Sequence, residues 1–523
     1  MGTRITSKII SNNAAYNIQS NKKIFDKVAT QQATEKKIND PSDDPVIAMR
    51  ALRFHSALAD TTQYLDKNLS DANSWVKNTE TALSLAVDLM KSVKAQYTAA
   101  SNDTDKTSDR EIYLNELRSL VNQYYSIGNT TNEDRYLFTG YRTSDSLTFT
   151  ENNIEEREKL VGAGNPAYDY VIEEKFDKND IKSYSFASKT VSESDINDAV
   201  NGNTPTNVAV ETDIELVSGY RIRLAYDNID DSTVARTTTS MVPGEVTITT
   251  GGSDTVYNVE YIEDDADAAG ADGKVAGDKI FVNTKTGMMI FGENIKTAMA
   301  AADDISFTYE KTSWNTEDLK PEHYFNCVDV ALNEANPTKY PTILVYDDAG
   351  QKMEYAVGNA QSIGINTNAK DAFMTDVGRD IDELADIINN VKSAEQKVEE
   401  IKGKLNDAPN NETLKYLKAA ADKELNFFSN QMKEFIAGGI TRSGEYFDQV
   451  NLASTQAGTV ANRITIISDR LSANKETITE QASENENVNI SDIAVEMQNV
   501  QMVYNASLIV TGKISRQSLL DYI

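Results

Sequence analysis

KKINDPSDDPVIAMRA, residues 36–51, breaks a stretch that otherwise reads as helix. Each of its two prolines follows an aspartate. Proline removes an amide donor and pushes the preceding residue out of the α region. A first helix over about 5–38 is therefore expected to end before Asp40. Pro45 suits the first turn of a second helix, with Asp44 as its N-cap and Asp43 favouring its positive end. Pro41, Ser42, Asp43, Asp44 and Pro45 then form a corner that reorients the chain between two helices. A plain surface loop is the competing reading.

Downstream of the corner one seam repeats with 4-3 spacing. It runs Leu58, Thr62, Leu65, Leu69, Ala72, Val76, Thr79, Leu83, Ala86, Met90, Val93, Tyr97, Ala100. Heptad spacing keeps one helix face turned toward a partner helix. No Gly or Pro lies between Val46 and Ala100. One helix of that span is roughly 80 Å long at 1.5 Å per residue, so its seam needs other long helices to cover it. The C-terminal part offers two. Phe447, Val450, Ser454, Ala457, Ala461, Ile464, Ser468, Leu471, Lys475 and Ile478 step by three and four, as do Ile493, Met497, Val500, Tyr504, Ser507, Thr511 and Ile514. The polar stretch ASENENVNISDIAVEM (482–497) separates them, and Ser491 with Asp492 reads as the N-cap of the last helix. The first helix has a weaker seam, Ile10, Ala14, Asn17, Asn21, Ile24, Val28, Gln31, Glu35 and Ile38. Such a segment needs a partner to order it.

The middle follows another period. NVAVETDIELVSGYRIRLAYD (207–227), GEVTITTGGSDTVYNVEYIEDD (244–265) and KIFVNTKTGMMIFG (279–292) alternate apolar with polar residues and carry Gly, Asn and Asp turn signals. ILVYDDAGQKMEYAVG (343–358) reads as one more hairpin. Helical pattern returns at 376–404 and 411–436, joined by LNDAPNNET. The order helices, β, helices gives an α+β fold class. Both chain ends form a long helical-bundle or coiled-coil domain, and a mainly antiparallel β outer domain is inserted between them. The expected divisions are 1–45 with 485–523, 46–143 with 376–484, and 144–375.

Charge follows the same partition. The 523 residues carry a formal net charge of −30. Residues 1–143 hold 18 Lys and Arg against 17 Asp and Glu, residues 441–523 hold 6 against 10, and the 297 between carry −27. Near-neutral ends can pack on one another, while an acidic middle favours solvent and argues against nucleic acid. Cys327 is the single cysteine, so an intramolecular disulfide, a CxxC redox site and a cysteine zinc site are excluded. The first twenty residues show no apolar core of a cleavable secretory signal. No apolar run approaches the ~20 residues of a membrane helix. Export therefore implies a dedicated apparatus.

A search for chemistry yields little. The two histidines, His55 and His323, lie far apart, and neither has a second His or Cys at ligand spacing; both read as structural. HExxH and GxxxxGK[ST] do not occur. GAGNP (162–166) lacks the dinucleotide fingerprint and reads as a turn. In EDDADAAGADGK (263–274), Asp265, Asp267 and Gly270 fit a calcium loop, but Ala269 and Ala276 stand where oxygen ligands are needed. A solvated acidic loop is the better reading. No catalytic, cofactor-binding or metal-binding residue is assigned, and no cofactor is expected.

Several motifs carry a resemblance. KKINDPSDDPVIAMRA resembles the stretch that opens the long second helix in the hook–filament junction proteins of the flagellin-like family. GNTTNEDRYLFTGYRT (128–143) resembles the segment where that family leaves its helical domain. HYFNCVDV (323–330), VGNAQSIGINTNAKDAF (357–373) and YNASLIVTGKISRQSLLDYI (504–523) resemble later segments, whereas 144–320 matches nothing recognisable. The resemblance implies a non-enzymatic structural adaptor of the bacterial flagellum, forming a ring at the hook–filament junction. Its implied partners are hook-associated protein 1, flagellin, copies of itself, an export chaperone and the export apparatus, with no nucleic acid and no membrane insertion. Its implied place is the extracellular flagellum, reached without a cleavable signal peptide. On this reading Ile493, Met497, Val500, Tyr504, Ile514, Leu519 and Leu520 are C-terminal assembly or chaperone contacts. Ile10, Ile24 and Val28 are their N-terminal counterparts. Flagellin itself, and an adhesin-like role for the acidic outer domain, are the alternatives.

Overall fold

A computed structural model of the protein describes residues 7–102, 107–161, 166–233, 241–270, 272–336, 339, 343–346 and 352–520. Its helices, in chain order, are α1 (Ser7–Thr34), α2 (Pro45–Thr62), α3 (Leu69–Ala100), α4 (Thr107–Gly128), α5 (Glu151–Val161), α6 (Glu193–Val200), α7 (Glu293–Ala301), α8 (Val330–Ala335), α9 (Ala369–Ala372), α10 (Thr375–Asp407), α11 (Glu412–Glu486) and α12 (Ile490–Leu520). Its strands are β1 (Thr131–Asn132), β2 (Arg135–Tyr136), β3 (Tyr170–Phe176), β4 (Lys182–Ala187), β5 (Leu216–Arg223), β6 (Glu245–Thr250), β7 (Ser253–Asn258), β8 (Glu260–Ile262), β9 (Ile280–Asn283), β10 (Met288–Phe291), β11 (Asp304–Lys311), β12 (Asn326–Asp329), β13 (Glu354–Gly358) and β14 (Gln361–Gly364). The fold is α+β.

The chain divides into two compact units. One holds the residues up to Asn73, Tyr355–Ile363 and those from Asn462 onward; the other holds Ser74–Glu354 and Gly364–Ala461.

In the first unit, α1 packs on α12. The corner between α1 and α2 is built by its aspartates. Asp44 is the N-cap of α2, its carboxylate accepting from the Val46 and Ile47 amides at 2.9 and 3.2 Å, with Pro45 opening the helix. Asp43 accepts the Asn39 and Asp40 amides, both at 3.2 Å, and those bonds hold its carboxyl below the usual range. Helix α1 ends earlier than the sequence suggests. Glu35 adopts φ 58°, and the chain then turns to bond with the segment before α12. Between α2 and α3 the helix continues through a π-turn at Gln63–Asn68. The expected seam passes through it: Leu58, Thr62 and Leu65 are half-buried, and Leu69, Ala72 and Val76 are buried. The wider i→i+5 turn therefore carries its extra residue without interrupting the buried stripe.

In the second unit α3 runs antiparallel to α11. Lys91 lies over the Phe447 ring, and Gly439 lies against the Tyr97 ring, where an added Cβ would come within 2.5 Å. That close approach corrects a sequence expectation: 411–436 and the seam from Phe447 are not two helices but one, of 75 residues, running through Gly438 and Gly439. Helix α4 packs on α10, with the Tyr125 hydroxyl donating to Met374 O at 2.8 Å and accepting from the Gly378 amide at 2.8 Å.

Two five-stranded sheets, ordered β4-β5-β10-β9-β8 and β12-β3-β11-β6-β7, share a core. Every strand pair in them is antiparallel except β8 with β9. Alternation drives the layering: Ile305, Phe307 and Tyr309 of β11 turn inward with Ile172 of β3, Val282 of β9 and Phe291 of β10. Gly287 closes the β9–β10 hairpin at φ 61°, where a Cβ would collide with Tyr226 O. Residues 347–351 of the expected 343–358 hairpin lie outside the described residues, and among the described ones its two arms are not paired with each other. Leu344 bridges Cys327 instead, and the hairpin is β13–β14, residues 354–364, in part because Ala360 takes φ 56°. The acidic loop at 263–274 is a short 3-10 turn (Asp265–Ala268) whose Asp265 accepts from Tyr184 and Asn283. Residues 162–165 of the expected GAGNP turn lie outside the described residues.

Candidate functional site

The two chain ends meet in the first unit, and each residue of the meeting has a local cause. Helix α12 is capped by Asn489, whose side chain accepts the Ser491 amide at 2.9 Å, rather than by Ser491 and Asp492. The segment before it folds onto the corner after α1. The Lys37 amide donates to Glu486 O at 2.7 Å, and the Val488 amide to Glu35 O at 3.0 Å. Lys36 Nζ donates to Asn487 Oδ1 at 2.7 Å and pairs with Glu486 at 3.3 Å. His55 Nε2 lies 2.8 Å from the same Glu486 carboxylate, so it has a partner that its sequence neighbours do not supply. Asn485 Nδ2 donates to Ile47 O at 3.1 Å.

From this knot α1 and α12 run side by side. On α12 the seam is Ile493, Met497, Val500, Tyr504, Ser507 and Thr511, each buried or half-buried. On α1 it is Ala14, Ile18, Asn21, Phe25 and Val28. Phe25 and Tyr504 stack with ring centres 5.8 Å apart at 20°, and the Asn21 amide donates to Ser507 Oγ. Of the sequence-assigned contacts, Val28 and Ile493 are buried, and Met497, Val500 and Tyr504 line the seam. Ile10 and Ile24 are not in it: they are 40% and 48% exposed, and Ile18 and Phe25 take the inward places. The side chains of Ile514, Leu519 and Leu520 lie outside the described residues. Sequence reasoning missed Phe25, Lys36 and Glu486. A shift of one residue along α1 would have found Phe25; contacts spanning some 450 residues leave no local signal.

The pair also presents apolar side chains that nothing among the described residues covers. Ile9, Ile10, Tyr16 and Ile24 on α1, and Val495, Met502, Val503 and Ile509 on α12, are all at least 40% exposed. Contiguous exposed apolar surface marks an interaction face. A groove of about 500 Å3 along α12 is lined by Met502, Ala506 and Ile509 with Gln498, Gln501 and Asn505.

The remaining ionisable clusters are structural ties. In the second unit Arg223 pairs with Asp380 at 2.5 Å, Asp376 at 3.0 Å and Glu383 at 3.1 Å, while Arg442 reaches Asp380 at 2.8 Å and the Tyr446 hydroxyl donates to it at 3.0 Å. Burial raises the Asp380 carboxyl, but the two guanidiniums outweigh it and hold it below the usual range. This cluster fastens β5 to α10 and α11. His323 is buried, faces Ser146 O at 3.3 Å and is pushed down to about 4 by burial. Cys327 is fully buried in β12, and burial pushes its thiol up. Among the described residues no group of three or more His, Cys, Asp or Glu could hold a metal ion. None of the helices, over those residues, is long and apolar enough to cross a membrane.

Residues 5–143 match the family described as the bacterial flagellin N-terminal helical region. Flagellar hook-associated protein 3 of Escherichia coli K12 is 31% identical over 137 residues, 26% of this chain and 41% of that protein. Its Salmonella typhimurium counterpart is 27% identical over 141 residues, 27% of this chain and 44% of that protein. The matches thus span less than half the length of these relatives. Among solved structures, Xanthomonas campestris FlgL is similar with 11% identity and a TM-score of 0.30, covering 82% of this chain and 99% of that one. Hook-associated protein 3 of Legionella pneumophila gives 12% and 0.20, covering 81% and 98%; neither score supports a shared arrangement. Residues 5–143 of the chain are therefore similar to the bacterial flagellin N-terminal helical region, and the curated relatives it resembles are those named flagellar hook-associated protein 3.

Proposed function

We propose that the protein is a structural adaptor of the bacterial flagellum, forming a ring between hook-associated protein 1 and the first flagellin subunits. The observation that carries this reading is the α1–α12 pair: it joins the chain's two ends and leaves apolar side chains uncovered along both helices. Copies packed side by side would cover them, through head-to-tail contacts that build a ring or tube. In this assembly residues 1–45 with 485–523 form the inner layer, 46–143 with 376–484 the next, and 144–375 the outer part. Ile10 and Ile24 face neighbouring copies. Ile493, Met497, Val500, Tyr504, Ile514, Leu519 and Leu520 are the C-terminal assembly contacts and bind the export chaperone beforehand. The protein works outside the cell, delivered by the flagellar export apparatus, and its role is mechanical rather than catalytic.

Deleting Leu508–Ile523 tests the proposal. The truncated chain is expected to be soluble and folded but unable to join the junction, so cells carrying it grow no filament and do not swim. Normal swimming by the truncated strain would overturn it.

A further inference from the structure

Within the second unit, a groove of about 760 Å3 separates α10 and α11 from the sheet β4-β5-β10-β9-β8. That volume is in the range of small-ligand sites. One wall is a helix face: Asp386, Asn389, Asn390 and Ser393 recur on α10 at intervals of three, one and three residues, so they share one side of it. None of these four side chains has a hydrogen-bond partner among the described residues, although each is solvent-accessible at the groove. Gln431 of α11 joins them. Across the groove, the Thr286 hydroxyl is buried and has no partner either. Four aromatic residues interrupt this polar lining, Tyr184 and Phe186 on the sheet side and Phe427 and Phe428 on α11. Phe427 and Phe428 are half-buried, with ring centres 5.4 Å apart at 60°.

We propose that this groove binds an uncharged oligosaccharide. A sugar ring offers a C–H face that packs on an aromatic ring, and a rim of hydroxyls that both donate and accept. Free amides and a carboxylate are the groups that pair with such a rim. The charge pattern narrows the class. Eight carboxylate side chains line the groove against five cationic ones, which disfavours sialylated, sulfated or phosphorylated ligands. A cationic ligand is disfavoured too, because five of the eight carboxylates are already matched: Glu383 by Arg221 at 2.6 Å, Glu424 by Lys397 at 2.8 Å, Glu263 by Lys285 at 2.8 Å, and Asp382 and Asp227 by Arg379, each at 3.5 Å. A purely apolar ligand would leave the amides desolvated and unpaired.

This inference does not depend on the junction reading, since none of its residues lies in the terminal helices. The test is an array of neutral, amino-bearing, sialylated and sulfated oligosaccharides probed with the full chain, followed by calorimetry on the strongest neutral hit. The Asn389→Ala/Asn390→Ala double variant removes exposed side chains, so it is expected to fold and melt as the parent does. It should bind the hit at least tenfold more weakly. Phe428→Ala should weaken it comparably. The full chain lacking Leu508–Ile523 should bind unchanged, which separates this site from assembly. Absence of binding at millimolar saccharide, binding confined to acidic glycans or to a lysine-rich control peptide, or a double variant that binds as the parent does would each overturn the proposal.

Discussion

Helix α3 hides its seam completely: from Leu69 to Ala100 all ten positions are at most 2% exposed. Helix α1 has the same 4-3 spacing, yet only Ala14 and Val28 are buried, and the isoleucines at 10 and 24 stand in solvent. The two helices differ in what covers them. For α3 the cover comes from the chain's own α11, whose Gly439 lets the Tyr97 ring approach. For α1 the cover supplied by the chain is a single helix, α12, and the rest of its surface stays open. Spacing encodes a face that wants a partner; it does not say whether the partner is in the same polypeptide. An incomplete seam in a folded chain is what a subunit awaiting neighbours would carry.

This contrast can be broken or sharpened by substitution. Leu83→Ala, in the closed seam, should cost about 2–5 kcal/mol through lost burial and a residual cavity. Thermal denaturation of the isolated chain would show it as a large fall in melting temperature; a small shift would mean that the α3 seam is as open as that of α1.

Glu174 gives the next effect. It is buried among the sheets, where the Ala225 amide and the Tyr309 hydroxyl donate to it at about 3.0 Å, and Arg379 and Asp376 of α10 act at longer range. Burial pushes its carboxyl from 4.5 up to about 8. Because the folded value is the higher one, its stabilising contribution is complete below pH 4.5 and is lost as pH rises toward 8. The slope is at most about 1.4 kcal/mol per pH unit, so up to about 2–3 kcal/mol between pH 6 and 8. Glu174→Gln should flatten that dependence while keeping the amide and hydroxyl contacts. Denaturant titrations at pH 6 and 8 that show equal slopes in both proteins would remove Glu174 from the account.

The smallest effect on the isolated chain belongs to Ile24→Ala, expected to stay within about 0.5 kcal/mol because the side chain is half in water. The same substitution should reduce filament number in swimming cells. Equal filament counts would leave Ile24 without a neighbour and narrow the open face to α12.

Much of this arrangement was legible in the residues. The Asp44–Pro45 cap, the α3 seam from Leu69 and the α12 seam from Ile493 follow from local sterics and period, and they stand where the pattern puts them. The illegible parts depend on remote packing. The Gly438–Gly439 pair looks like a helix break until Tyr97, some 340 residues earlier, is seen to need the missing side chain of Gly439. The α1 seam is off by one at two places because Phe25, facing Tyr504, fills more space than Ile24 would. β13 pairs with β14 while Leu344 bridges Cys327, a residue outside the stretch in which the hairpin was read. Of the candidate site, the seam was readable and the Lys36–Glu486–His55 knot was not, because its members come from three distant segments. The saccharide groove was invisible for the same reason: no single segment contains both its rings and its amides.

The π-turn at Gln63–Asn68 gives the long helix something like a vernier. Its i→i+5 winding holds one residue more than ordinary α turns would, while the stripe of Leu58, Thr62, Leu65 and Leu69 stays buried or half-buried through it. Removing one residue from the turn would restore ordinary α winding and rotate the residues before it by roughly 100° about the axis, carrying His55 off Glu486. A single codon there is a coarse adjustment screw for where the corner, and with it the first helix, is aimed.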